Sequence, residues 1–488
     1  MHRFRRIVPV IALAAVGGTT AVAASRIPES RLPAAYETSA GTVLGAADLD
    51  HWWLLFNDPA LNALEDEAFH TAPDARTAAA RVLEAKATRD SQVAQTLPTG
   101  EVTGDASKEH ETNIGSAAGG SLFPIGGDFE TETVNLKVSW EIDLFGRLAE
   151  ARKIAKADLD ATRFDIEGVR ASLAASVADN YFQATGLAIQ IADAVETVRI
   201  QSELERVAQE KADIGLGATS DADRVAGDLA QAKAQLEDLQ SQRHAALRQL
   251  LILIGRDGAS TDSLVLASDA VEPPPTPAAI PGELLARRPD VREAEAKLVA
   301  ELGTARLRHL AVLPTITILP QLGLSRTVQP SVGYNPVTTQ LFPFQQTTSL
   351  GLWTYGGSVT VPFLDIPRLL FDAKAEDARA RQAAVAYEKT VQTAYGEAEN
   401  ALVNLEAGKR ATGLLTDGEA RAHRASDAAN TRYSMGLDDL TTALAAEQDW
   451  RSTRSALTSE RVQALRRTVA AYKALGGGWA YATLAKAR

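Results

Sequence analysis

The chain has 488 residues, 45% of them hydrophobic and 23% charged, which excludes a disordered or collagen-like polymer and leaves material for a large core. Fifty Lys and Arg against 62 Asp and Glu give a net charge of −12, so nucleic acid is not an expected partner, because neutralising phosphates requires a basic face. Cysteine is absent, which excludes disulfides, thiolate metal centres, iron–sulfur clusters and cysteine nucleophiles.

Residues 1–24 read as a signal peptide. Arg3, Arg5 and Arg6 form a basic start, Ile7 to Ala15 an apolar run, and Ala21-Val22-Ala23 or Val22-Ala23-Ala24 a small-residue cleavage site. Pro9 and Gly17-Gly18-Thr19-Thr20 keep the apolar run short of the ~20 residues that a spanning helix needs. Removing three arginines with this segment takes the charge from −12 to −15. Residues 25–58 are expected to be an extended N-terminal segment. The longest uncharged stretch, Thr327 to Leu364, contains Pro330, Pro336, Pro343 and Pro362 and cannot be a lipid-spanning helix. An exported chain of this kind is periplasmic, secreted, or built into the outer membrane as a β-barrel.

The body reads as a tandem repeat, 59–256 and 283–475, each half a helix, a β-hairpin, a long helix and a return helix. In the first half the hairpin lies at about 99–143. Thr133 to Asp143 alternates strictly, with Val134, Leu136, Val138, Trp140 and Ile142 on one face and polar residues on the other. Its partner near Glu101 to Ala106 is a weaker strand. From Gly146 to Ile214 no proline occurs, and Leu159, Thr162, Ile166, Val169, Leu173, Val177, Tyr181, Ala184, Ala188, Ile191, Val195 and Val198 follow coiled-coil spacing. At 1.5 Å per residue this is a rod of about 100 Å. It stops at Gly215-Leu216-Gly217, and a second helix runs from Asp221 to Ile254. Residues 257–282 form a connector made extended by Pro273-Pro274-Pro275 and Pro277.

The second hairpin, at about 314–363, places Ile316, Ile318, Leu322 and Leu324, and then Trp353, Tyr355, Val359, Val361 and Phe363, on apolar faces. Long polar or Gly-rich tips are expected at Ser107–Thr131 and Arg326–Ser349. Arg368 to Arg432 is the second long helix, broken at Gly436, and Leu440 to Leu475 the return helix, with a tail at 476–488. Gly146-Arg147 matches Pro367-Arg368 at an offset of 221, and Gly217 matches Gly436 at 219. Four strands cannot close a barrel, which takes about eight, so several chains must contribute to one. Trp140, Trp353 and Tyr355 are its expected lipid-facing aromatics.

Four strings in order resemble the TolC-type outer-membrane efflux channels, within them the NodT-like branch serving resistance-nodulation-division (RND) pumps. They are Trp52-Trp53 through Phe56-Asn57-Asp58-Pro59; Trp140-Glu141-Ile142-Asp143-Leu144-Phe145-Gly146-Arg147; Leu285-Ala286-Arg287-Arg288-Pro289-Asp290-Val291-Arg292; and Ala474-Leu475-Gly476-Gly477-Gly478-Trp479. The resemblance implies a mainly α fold with a β-barrel part: a homotrimer whose 12-stranded outer-membrane barrel continues into a periplasmic helical tunnel. It also implies a periplasmic adaptor and an inner-membrane RND-type pump as partners, with Gly217 and Gly436 at adaptor-contact turns. The chain departs from the branch in three places: no lipobox cysteine follows the signal, Pro73 replaces an Asn, and Glu301–Pro314 lacks the usual Ala-Asn-Ala pattern.

No phosphate loop, nucleophile elbow or zinc-protease motif is present, and the seven histidines lack ligand spacing. No enzyme activity, cofactor or metal site is expected. The candidate gate residues are Asp221 and Asp223 after Gly217, Asp438 and Asp439 after Gly436, and Arg432 and Tyr433 one turn before it. The acids either line the bore or cap the return helices, Ser220 or Asp221 at the first turn and Asp438 or Asp439 at the second, and both roles can hold at once. The expected function is a passive trimeric conduit for small-molecule efflux. A channel for type I protein secretion and a non-channel periplasmic coiled-coil protein are the alternatives.

Overall fold

The computed structural model describes residues 49–111, 127–264 and 287–478, with short pieces at 32–33, 36–37, 42–43, 266, 273–274 and 277–278. The expected signal peptide, most of the N-terminal segment and connector, and the end of the tail lie outside the described residues. Seven long helices and four long strands follow in order: α1 (Pro59–Thr71), α2 (Pro73–Ala94), β1 (Thr99–Glu111), β2 (Gly127–Ile142), α3 (Arg147–Asp213), α4 (Thr219–Leu253), α5 (Pro289–Leu310), β3 (Thr315–Asn335), β4 (Gln340–Thr360), α6 (Ile366–Ser434) and α7 (Leu440–Ala474). Pro73 and Pro289 open α2 and α5 at the one position where a missing N–H costs nothing. Two of the three departures from the family pattern therefore fall largely in regular helix: Pro73 starts α2, and α5 runs unbroken through Glu301 to Leu310.

The repeat is finer than its sequence marks suggest. α4 and α7 are each 35 residues long and start 221 apart, and α2 and α5 are each 22 residues long and start 216 apart. The left-handed glycines that end the long helices are Gly215, at φ 76°, and Gly436, at φ 71°. In both turns the next amide reaches back in a Schellman bond, Leu216 to the Lys211 carbonyl at 2.8 Å and Leu437 to the Arg432 carbonyl at 2.9 Å. The structural equivalent of Gly436 is thus Gly215 and not Gly217, and the offset is 221 from the strand-to-helix corner through the turn to the return helix.

The four strands form one antiparallel sheet in the order β1-β2-β3-β4. Opposite residues share a face, so register alone assembles an apolar row, Val102–Leu136–Leu322–Trp353, and beside it a polar row, Glu101–Lys137–Gln321–Thr354. Trp140 lies opposite Ile318 and Tyr355 opposite Pro320 on the apolar side, with Trp353 and Tyr355 stacked at 6.1 Å. The second tip expected at Arg326–Ser349 is corrected: β3 and β4 stay paired to Asn335 and Gln340 and leave only a four-residue turn. Val328, Val332 and Tyr334 do alternate along β3, but Pro330, Pro336, Pro343 and the polar run from Gln345 to Ser349 read as a loop, and the cross-strand ladder forms all the same. Of the first tip, 112–126 lies outside the described residues.

α3 is the hub, packing against α1, α2, α4, α5 and α7. Its seam is buried from Leu159 to Ala184, and then Val195 emerges half exposed where the bundle thins toward the turns. Midway along α3 the chain is knotted together. Trp52 is fully buried and stacks on Tyr472 at 5.8 Å, and Gly478, at φ 92°, donates its amide to the Leu49 carbonyl at 2.9 Å. Arg287 pairs with Asp50 at 2.6 Å with both side chains buried, and Arg288 reaches the Ala474 carbonyl at 3.1 Å and Glu397 at 2.6 Å. At the sheet-to-helix junction Asp143 accepts from the amides of Leu148 and Ala149, at 3.1 and 2.9 Å, and Glu141 holds Arg147.

Two stability predictions come from this packing. A Cβ on Gly186 of α3 would stand 2.1 Å from a Val462 methyl of α7 and 3.1 Å from its Cβ. Gly186→Val changes helix propensity little, so it should cost the about 1–3 kcal/mol of an overpacked contact, and Val462→Ala in the same chain should recover most of it in thermal melts. Glu65 is fully buried, and neither carboxylate oxygen has a partner among the described residues, so burial pushes its carboxyl well above the usual range. An acid raised on folding destabilises increasingly as pH rises past its unfolded value. Glu65→Met should therefore stabilise at pH 8 by about 1–3 kcal/mol, the cost of an unmade buried polar contact, and by much less at pH 5.

Candidate functional site

Two places carry the residues that matter for passage: the helical turns at one end and the sheet faces at the other. At the second turn the acidic pair divides its work. Asp438 forms a two-pronged pair with Arg432 of the same chain, with both Nη2–Oδ1 and Nε–Oδ2 at 2.9 Å, bracing the turn across its own Schellman bond. Asp439 is the N-cap of α7, accepting from the Thr442 amide at 2.8 Å. The Thr442 hydroxyl and amide hold the Asp439 carboxyl below the usual range, with smaller help from the Thr441 hydroxyl and the Lys211 charge. Since Lys211 lies in the last turn of α3, the two turns of one chain stand within electrostatic reach of each other.

The first turn is built differently. The N-cap of α4 is Ala218, with no side-chain cap bond, so the expected capping by Ser220 or Asp221 does not occur. Asp221 sits inside the first turn of the helix, where the macrodipole favours its charge, and Asp223 is exposed two residues on. With the 221 offset, Gly217 and Ala218 occupy the places of Asp438 and Asp439. Tyr433 is exposed on the last turn of α6. Arg432 is drawn to its own turn.

One feature escaped the sequence reading. Ile214 and Leu216 flank Gly215, Met435 and Leu437 flank Gly436, and all four are 68–78% exposed. Each turn therefore ends in a pair of bare aliphatic side chains on a left-handed glycine. The signal was legible as apolar residues beside a helix-stopping glycine, which the acids nearby obscured.

At the other end the sheet separates two solvents. Val102, Val134, Leu136, Trp140, Leu322, Leu324, Trp353, Tyr355 and Val359 stand on one side, each at least 39% exposed in the single chain. The opposite side is mainly polar, with Leu319, Leu350 and Leu352 as apolar exceptions. Both outer strands, β1 and β4, have an edge with no neighbour in the sheet. Among the described residues no group of three His, Asp or Glu side chains could hold a metal ion, and no helix is long and apolar enough to cross a membrane.

Comparison with known proteins places this geometry. Residues 64–256 and 280–477 match the family model of the outer membrane efflux protein. The chain is 26% identical over 434 residues to the pyoverdine export outer membrane protein OpmQ of Pseudomonas aeruginosa, covering 89% of this chain and 88% of that one. It superposes on the outer-membrane channel OprN with a TM-score of 0.76 at 25% identity, covering 93% and 98% of the two chains. The CmeC outer membrane channel of Campylobacter jejuni gives a TM-score of 0.78 at 20% identity, covering 95% and 96%. The sheet is thus one third of a 12-stranded barrel completed by a homotrimer, and the helices form its periplasmic tunnel. The protein is a passive outer-membrane channel for efflux and not an enzyme. The duplicated helix–hairpin–helix chain, with its two unpaired sheet edges, belongs to the outer membrane efflux protein family.

Proposed function

We propose that this channel is the outer component of a tripartite efflux system, receiving small molecules from an inner-membrane RND-type pump through a periplasmic adaptor. The observation that carries the adaptor is the pair of turns: Ile214, Leu216, Met435 and Leu437 are bare, and a water-facing tip has no other use for them. The adaptor's contact is centred on these residues around Gly215 and Gly436, with Gly217 in the first turn as well. Trp140, Trp353 and Tyr355 meet the lipid of the outer membrane, since they are the large aromatics of the apolar face. Pyoverdine is the cargo named for OpmQ; a bore lined mainly by polar and charged residues of both signs selects little, so the pump sets the cargo of this chain.

The gate lies at the periplasmic turns. In a trimer each Asp of a turn becomes three, and like charges that close together are screened incompletely over a ~8 Å Debye length. Asp438 and Asp439, supported by Asp221 and Asp223, favour cations there. Arg432 offsets part of that charge and stiffens the turn, and Tyr433 is placed to meet a neighbouring hairpin.

Two measurements test this reading. The mature protein should leave the membrane only with detergent and run as a trimer, because the bare edges of β1 and β4 need neighbours in a bilayer. A water-soluble monomer overturns the conduit. In single-channel recordings, Asp438→Ala with Asp439→Ala should abolish most of the cation selectivity and the block by trivalent ions. If both survive unchanged, these carboxylates brace and cap the turn, and the selective ring lies elsewhere.

A further inference from the structure

Toward the cell exterior β2 and β3 part, while β1 and β2 stay paired as far as Glu111 opposite Gly127. β2 last pairs with β3 at Glu130 opposite Val328, whereas β3 and β4 stay paired up to Asn335 opposite Gln340. Gly127 of β2 still lies beside Pro330, but a proline has no N–H to extend the ladder. Above it, among the described residues, Ser331–Asn335 and Gln340–Phe344 make a ribbon. Its turn is fixed by the Asn335 side chain, which accepts from the amides of Val337 and Thr338 at 3.0 and 3.4 Å. A two-stranded ribbon is marginal in water without something to pack on.

The bore side of this ribbon carries two aromatic rings, beyond Leu350 and Leu352 on the same face of the wall. Phe342 and Phe344 fall in the same alternation as Thr354, Gly356 and Ser358, hence on the face turned toward the channel axis. Their rings lie 6.0 Å apart and are 49% and 42% exposed. Phe342 sits across from Gly333, with ring atoms 2.6–3.0 Å from the place a Cβ would occupy, so only glycine there seats the ring. A seat of this kind marks a fixed orientation.

We propose that the three ribbons of the trimer lean inward and bury Phe342 and Phe344 against their counterparts on the threefold axis, closing the extracellular mouth. The partner of each apolar ribbon face is a second and third copy of the same ribbon. Twelve strands spaced ~4.8 Å apart and tilted ~40° give a wall radius of roughly 12 Å. Phe342 stands opposite Gly333, five residues and so ~17 Å along the strand beyond Val328, where β2 last pairs with β3, and a lean of about 20° brings the rings together. The contact is apolar and small, so exported cargo can part it. Three identical ribbons that already share one rim need no external partner to meet.

The absence of cysteine makes the test direct. Gln340→Cys introduces a thiol on the same face, two pairs beyond Phe342. Oxidation of the trimer in outer-membrane vesicles should give covalent dimers. Thr354→Cys, on the same face within the wall, should give none. Adding Phe342→Ser and Phe344→Ser to Gln340→Cys should lower the cross-linked fraction by about tenfold, less than the loss of one buried phenyl per chain would allow, with the trimer intact because the wall is untouched. The cap is overturned if Gln340→Cys gives no dimers, or if their yield is unchanged by the serine substitutions. Failure of the unsubstituted protein to form trimers overturns both the cap and the conduit.

Discussion

A four-stranded sheet with two bare edges sets the terms for this molecule. In water, an edge can be met by solvent; in hydrocarbon each unpaired amide and carbonyl costs several kcal/mol, and only closure removes the cost. β1 at one side and β4 at the other therefore need one another across subunits, and a wall of twelve strands is the smallest the homotrimer can make. Closure also decides which side chains see lipid and which see the bore, since the fixed register of all three ladders sorts odd from even positions without exception. Everything below the barrel hangs from that ring: the strand-to-helix corners at Asp143 and Pro367 start α3 and α6 at its rim.

The packing of the periplasmic part follows from two long helices that each carry a return helix. α3 is covered on most of its circumference near its middle, where Trp52, Tyr181, Phe182, Leu250 and Tyr472 bring four segments of the chain together. Arg287 and Arg288 close the same region electrostatically from the start of the second repeat. Toward the turns this support falls away. Helix pairs there rely on their own seams and on surface ion pairs, which contribute little in isolation. A firm belt with free-standing ends is the shape that lets one end change while the barrel does not.

Much of this was legible in the sequence because it was written locally. Proline-free runs with coiled-coil spacing gave α3 and α6, and strict alternation from Thr133 to Asp143 gave β2. The four strings that carry the family resemblance were harder to interpret. Three of them, around Trp52, Arg287 and Gly476, meet in one knot, yet Asp50 and Arg287 are 237 residues apart and nothing local pairs them. At the turns, composition misled. Gly215 and Gly217 are equally good helix stops on paper, and the Schellman bonds decide between them. Asp439 caps because it precedes the first helical residue, whereas Asp221 falls two residues inside α4 and cannot. The extra length of β3 and β4 was hidden by Pro330, Pro343 and the polar run from Gln345 to Ser349, and Glu65 looked like any helical acid until the helix was docked.

The 221-residue repeat has a consequence for ancestry. A chain holding one repeat would carry two strands, one long helix and one return helix, and six copies would be needed to build the same wall. Fusing two repeats halves the number of subunits and, more usefully, releases the two halves from identity. Position by position, the fused chain has used that freedom at the turns: Arg432, Asp438 and Asp439 in one half stand where Lys211, Gly217 and Ala218 stand in the other. A sixfold ring of equal tips has become a threefold ring of two alternating kinds, one braced by its own ion pair and one left slack.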